Sequence, residues 1–171
     1  MKKFLGVAVA ALAFASANSA SAQTFVSTAG TYTFSGSAVK VQKGNGPVLT
    51  CTMAIDITNA GGVLSADNPV LTGNFGFCDT VILQDNPWPV SVTGGGGTGS
   101  TATVGDATDE VYANTTITPG NCKGTIPATV DLTGATEDLV IDFGFPTSPI
   151  ASTMPQVTAN GPCKIDGTIS W

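Results

Sequence analysis

Cys51, Cys78, Cys122 and Cys163 are the four side chains of this sequence with the most chemistry in them, and no histidine or arginine accompanies them. Thiols can act as nucleophiles, metal ligands, redox couples or disulfides. The first three uses fail on inventory. Cysteine and serine nucleophiles of the triad type need an imidazole base. The usual mixed zinc set needs histidine, and no pair here has the Cys-x-x-Cys spacing of a redox motif or zinc knuckle. An even number of cysteines behind an export leader reads instead as two structural bridges. Three connectivities are possible; local closure favours Cys51–Cys78 with Cys122–Cys163.

Carboxylates are the next candidates. Asp106, Asp109 and Glu110 form one acidic knot, and Asp131, Glu137 and Asp138 a second. Oxygen-rich loops of this kind can hold calcium, so Asp106, Asp109 and Glu110 are candidate ligands, although neither knot has EF-hand spacing. A glycosidase pair would also need a sugar-stacking groove, and aromatic residues make up only 7% of the chain. The Gly94–Gly97 run lacks the Gly-Lys-Ser/Thr ending of a phosphate loop. No catalytic residue and no cofactor is expected. Asn86-Pro87-Trp88-Pro89 is the most distinctive local segment, because two prolines stiffen the backbone around a large amphipathic ring. Trp88 is expected to plug one end of the domain. The functional alternative makes Pro87, Trp88 and Pro89 an exposed binding surface.

The elements that must position these residues are strands. Thr, Val, Ser, Gly, Asn and Pro are plentiful, and most helix formers are scarce. Leu49, Cys51, Met53, Ile55 and Ile57 alternate with polar residues along one strand. Leu139, Ile141 and Phe143 do the same, as do Cys163, Ile165, Ile169 and Trp171. Weaker strands are expected near Tyr32–Val41, Val70–Gly73, Thr80–Leu83, Val90–Thr93, Thr101–Val104, Val111–Thr118 and Ile126–Leu132. Turn signals at Asn45-Gly46-Pro47, Gly61-Gly62, Asp67-Asn68-Pro69, Pro119-Gly120-Asn121 and Asn160-Gly161-Pro162 separate them. The fold class is all-β: an antiparallel sandwich or barrel-like domain of about eight to ten short strands, stapled by disulfides.

Residues 1–22 read as a signal peptide, with Lys2 and Lys3 ahead of an apolar run and Ala20-Ser21-Ala22 at the cleavage site. Residues 23–171 then form one exported domain, periplasmic or, preferentially, extracellular, with no retained membrane anchor. Lys40, Lys43, Lys123 and Lys164 face twelve carboxylates in that domain, a net charge of about −8. Nucleic acid is therefore excluded as a partner, for want of a cationic face.

The run Leu49-Thr50-Cys51-Thr52, then Cys78, Pro87-Trp88-Pro89, Asn121-Cys122-Lys123-Gly124 and Cys163-Lys164-Ile165-Asp166-Gly167 resembles the PraB-type activators of alkane oxidation. The resemblance covers almost the whole exported domain. It implies a small secreted protein associated with growth on long-chain alkanes, and it brings no catalytic residue set. The expected function is that of a non-catalytic accessory at the cell surface or hydrocarbon interface, with hydrocarbon or surface components as partners. An alternative is a self-associating subunit of an extracellular fibre or biofilm matrix, in which Gln23–Phe34 could complete a neighbour's sheet edge, although docking as an edge strand of its own domain is the favoured reading of that segment. A third reading is a small outer-membrane β-barrel, suggested by the alternating C-terminus that ends in Trp171.

Overall fold

The structure is a computed structural model, and it describes residues 29–44, 46–93, 100–115, 121–131, 140–142, 152–154 and 163–171. Thirteen strands occur among them: β1 Gly30–Lys43, β2 Leu49–Ala60, β3 Val63–Thr72, β4 Val81–Gln84, β5 Trp88–Thr93, β6 Ser100–Val104, β7 Val111–Thr115, β8 Cys122–Gly124, β9 Ile126–Asp131, β10 Val140–Asp142, β11 Ser152–Met154, β12 Cys163–Asp166 and β13 Thr168–Ser170. The expected all-β, antiparallel class holds, and of its two forms the barrel-like one is adopted.

Closure depends on β1. One edge pairs with β2, from Gly30↔Asn59 to Val41↔Leu49; the other pairs with β12 at Lys40–Lys43 and with β13 at Ser35. The pairings then run β2, β3, β5, β6, β9, β10 and β13, all antiparallel, and return to β1. An eight-stranded ring results, a size whose interior side chains can just fill. The core is correspondingly solid, built on Phe34, Val39, Met53, Ile57, Trp88, Val130 and Ile169. A separate three-stranded sheet, β4-β7-β8, lays Val81, Leu83 and Ala113 against that core.

Local sequence explains the corners. Gly61 and Gly62, with φ of 64° and 93°, form a two-residue hairpin between Ala60 and Val63, the left-handed turn that matches strand twist. The Asn59 side chain closes it by accepting the Gly62 N–H at 2.9 Å. Asp67-Asn68-Pro69 does not end a strand as the turn signal suggested. It is a bulge inside β3, where pairing with β2 shifts between Ala54 and Asp56 and Asn68 takes φ 49°. A bulge is one of the few sheet positions that accepts proline. On the other side of β2, β1 carries a tighter device. β1 shifts register between Gly36 and Val39, beside Gly167 at the β12–β13 junction. A Cβ on Gly36 would overlap the Thr168 carbonyl, and one on Gly167 would lie 2.8 Å from Val39 Cα.

The two faces of the ring differ sharply. Along β2, Leu49, Cys51, Met53, Ile55 and Ile57 are buried, as their spacing predicts, while Thr50 and Thr52 are exposed. Outward threonines pair across strands: Thr31 with Thr58 at 2.9 Å and Thr93 with Thr101 at 2.6 Å. Thr33 donates to Asp56 at 2.6 Å. A barrel that spans an outer membrane is apolar outside and polar within. This ring has the reverse polarity, which overturns the outer-membrane reading. Trp171 is likewise no core residue; it is 41% exposed and stands edge-on to Tyr32, ring centroids 4.7 Å apart. Gly30–Phe34 belong to the stretch considered for donor-strand exchange. Those residues pair with Asn59–Ile55 of their own chain. Residues 23–28 lie outside the described residues, as do Leu139, Phe143 and the turn at 160–162.

Candidate functional site

Both bridges take the favoured connectivity. Cys51 and Cys78 are joined with Cα atoms 5.7 Å apart, and Cys122 and Cys163 with Cα atoms 6.0 Å apart. All four cysteines are buried, and none is free. They are scaffold, and their oxidised state fits a compartment outside the cytoplasm. Among the described residues, no helix is long and apolar enough to cross a membrane.

The sequence-derived candidates do not converge on a site. Trp88 is buried at 1% exposure, and its indole N–H donates to the Gln84 carbonyl at 3.1 Å. Its ring is therefore a core group, which removes it from the proposed binding surface; Pro87 is exposed and Pro89 half-buried beside it. The acidic knot is used up locally. Asp106 accepts the backbone N–H groups of Thr108 and Asp109 at 2.7 and 2.8 Å, and these bonds hold its carboxyl below the usual range. Glu110 pairs with Lys123 at 3.2 Å. Asp109 is the remaining member. No three acidic, histidine or cysteine side chains gather around a possible metal position among the described residues. Glu137 and Asp138 of the second knot lie outside them.

The feature that sequence periodicity missed lies between β3 and β4. Gly73–Thr80 forms two consecutive 3₁₀ turns with Phe75 completely exposed and Phe77 about half exposed. Phenylalanine ordinarily belongs in the core, so the backbone must force this display. Asn74 and Phe75 both have positive φ, 48° and 56°, a conformation that is costly for a bulky residue. The surrounding hydrogen bonds hold it. Gly73 O accepts from Gly76 N at 3.1 Å and from Cys78 N at 3.3 Å, and Thr80 Oγ1 donates to Phe77 O at 2.7 Å. Cys78 then anchors the turn covalently to β2 through Cys51. Val70 and Ile82, on either side in the chain, are each about half exposed. The stretch Val70–Ile82 thus carries four of the domain's exposed large apolar side chains on a stapled frame. The visible signal was the aromatic pair in Asn74-Phe75-Gly76-Phe77, short of any strand or helix period and flush against a cysteine.

A second apolar feature lies under the small sheet. Val81, Leu83, Ala113, Leu49, Leu71 and Ile126 line a cavity of about 60 Å³. Lys43 and Lys164 also line it. Burial pushes the Lys43 ammonium below the usual lysine range.

No curated protein and no solved structure is significantly similar to this chain. A family model does match, over residues 1–171, its description being alkane oxidation protein activator PraA/PraB-like. With a match spanning its full length, the chain belongs to the PraA/PraB-like family of alkane oxidation activators.

Proposed function

We propose that this protein is a non-catalytic accessory of alkane oxidation that works outside the cytoplasm by contacting hydrocarbon surfaces through the Gly73–Thr80 turn. The carrying observation is the Phe75 ring, fully exposed on a backbone that strained dihedrals and a disulfide hold in place. An exposed aromatic that costs backbone strain has no folding rationale, and burial in an apolar phase gives it one. The threonine-covered ring and the net negative charge keep the remainder hydrated, so adsorption is oriented by one end of the molecule. Export through the residue 1–22 leader delivers the protein to the cell surface or medium, where hydrocarbon is met.

The test is depletion of purified protein from solution by hexadecane droplets, compared with the Phe75→Ser/Phe77→Ser variant. The wild type should adsorb and lower interfacial tension, and the variant should do neither while melting normally. Equal adsorption of the two proteins would sink the reading.

A further inference from the structure

We propose that the groove along the β1 bulge, on the outward face of the ring, is a binding site for a neutral polyhydroxylated ligand, a short saccharide, held by serine and threonine hydroxyls together with Lys40 and Asp166.

The bulge makes the space. β1 shifts register against β2 between Gly36 and Val39, and on its other edge the partner changes from β13 at Ser35 to β12 at Lys40. Ser37 and Ala38 therefore stand opposite no residue of either neighbour, and both are exposed. Gly36 and Gly167 line the same surface without side chains to fill it. The resulting open groove holds about 660 Å³, inside the range of roughly 300–1,000 Å³ usual for small-molecule sites. Its lining runs along β1 from Ser35 to Lys40, about 16 Å at the ordinary strand rise, which suits a short chain of rings better than a single one. Bulges recur beside binding sites because they re-aim side chains.

The chemistry selects hydroxyls. Elsewhere on the ring, outward threonines satisfy one another, as Thr31 does with Thr58 and Thr93 with Thr101. In the groove Ser35, Ser37, Thr52, Thr168 and Ser170 are all exposed, and none of their side chains is hydrogen-bonded to another described residue. Lys40 and Asp166 stand directly opposite each other on β1 and β12, yet neither side chain forms an ion pair or hydrogen bond with a described residue. An ammonium only donates and a carboxylate only accepts, while each serine or threonine hydroxyl does both. A ligand that matches all three must donate and accept at close intervals, as the hydroxyls of a sugar do. Equal and opposite charges in the lining leave it without net charge, so neither an anion nor a cation is favoured there.

No residue lining the groove belongs to the Gly73–Thr80 turn, so this site and the hydrocarbon contact can fail separately. Thr52 nevertheless stands opposite Thr72, the last residue of β3 before the turn, so one cross-strand pair links the two surfaces. The experiment is titration of the full chain with maltotriose, cellotriose and, as a zwitterionic control, glycine betaine, read by amide chemical shifts. At least one trisaccharide should bind saturably with a millimolar Kd, the strength of a few exposed hydrogen bonds, and move the amides of Ser37, Lys40 and Thr168. Betaine should move none of them. Lys40→Gln and Asp166→Asn should each weaken the saccharide about fivefold while melting near the wild type. The Phe75→Ser/Phe77→Ser variant should bind it unchanged. No saturable shift with either trisaccharide, betaine binding as well as they do, or undiminished affinity in both charge variants would overturn the assignment.

Discussion

Replacing Cys51 and Cys78 together by alanine should reveal how much of this domain depends on one staple. The two residues are 27 apart in sequence. In the chain-entropy model, releasing a loop of that length destabilises the fold by about 3.6 kcal/mol. Single domains have only about 5–15 kcal/mol in total, so this is a quarter or more of the stability. For a domain near 150 residues, a loss of that size lowers the melting temperature by roughly 7–14 °C. Alanine is preferable to serine because both sites are buried, at 1% and 0% exposure, and a hydroxyl there would add a desolvation cost of its own. Urea and thermal unfolding of wild type and variant would measure the effect, and the droplet assay would read the turn separately. The staple holds Cys78 at the end of the Phe75 turn, so the variant should also adsorb less well at temperatures where it remains folded. A melting temperature lowered by less than about 2 °C, with adsorption intact, would refute both the entropic account and the pinned-turn argument.

Other expectations follow from single contacts. Gly36→Ala should destabilise by more than about 2 kcal/mol, because its Cβ meets the Thr168 carbonyl, whereas Gly61→Ala, with open space around it, should cost about 1 kcal/mol from backbone strain alone; chemical denaturation would rank the two. Trp88→Ala should cost about 3–5 kcal/mol in the same assay, and Trp88→Phe less, its main penalty being the Gln84 carbonyl left without its donor. Hydrogen bonds from Thr33 and Asn68 hold the Asp56 carboxyl below its usual range. Its contribution is therefore complete above the unfolded carboxylate pKa of about 4 and disappears as pH falls through the lower folded value. Asp56→Asn should accordingly flatten the stability curve on the acid side, and pH-dependent melts should show it.

What could be read in the residues followed from periodicity and composition. Alternation in Leu49–Ile57 located the buried face of β2 residue for residue, and the Cys163–Ile165–Ile169 spacing did the same near the C-terminus. The disulfide pairing was reachable because local closure is a property of spacing. Ring closure was not, because β1 meets β13 across more than a hundred residues and nothing local encodes that contact. Asp67-Asn68-Pro69 misled because the same residues suit a turn and a bulge. Trp88 left two readings open, since stiff prolines serve a buried ring as well as an exposed one. The Phe75 turn escaped notice because its display depends on dihedral angles that asparagine and phenylalanine seldom adopt. Cavity and lysine neighbours lay further out of reach, being products of register between strands distant in sequence.

A ring fastened where the first strand meets the last has a consequence for biogenesis. Until Ser170 reaches Ser35, the β1 edge facing it has no partner, and every earlier pairing leaves an open sheet. Contacts of such long sequence separation form slowly, and open edges invite pairing between chains. A chain emerging N-terminus first must therefore wait for β13 before the clasp can shut. Loss of β13 alone would leave β1 and β10 without their shared neighbour, a sticky and unfinished sheet.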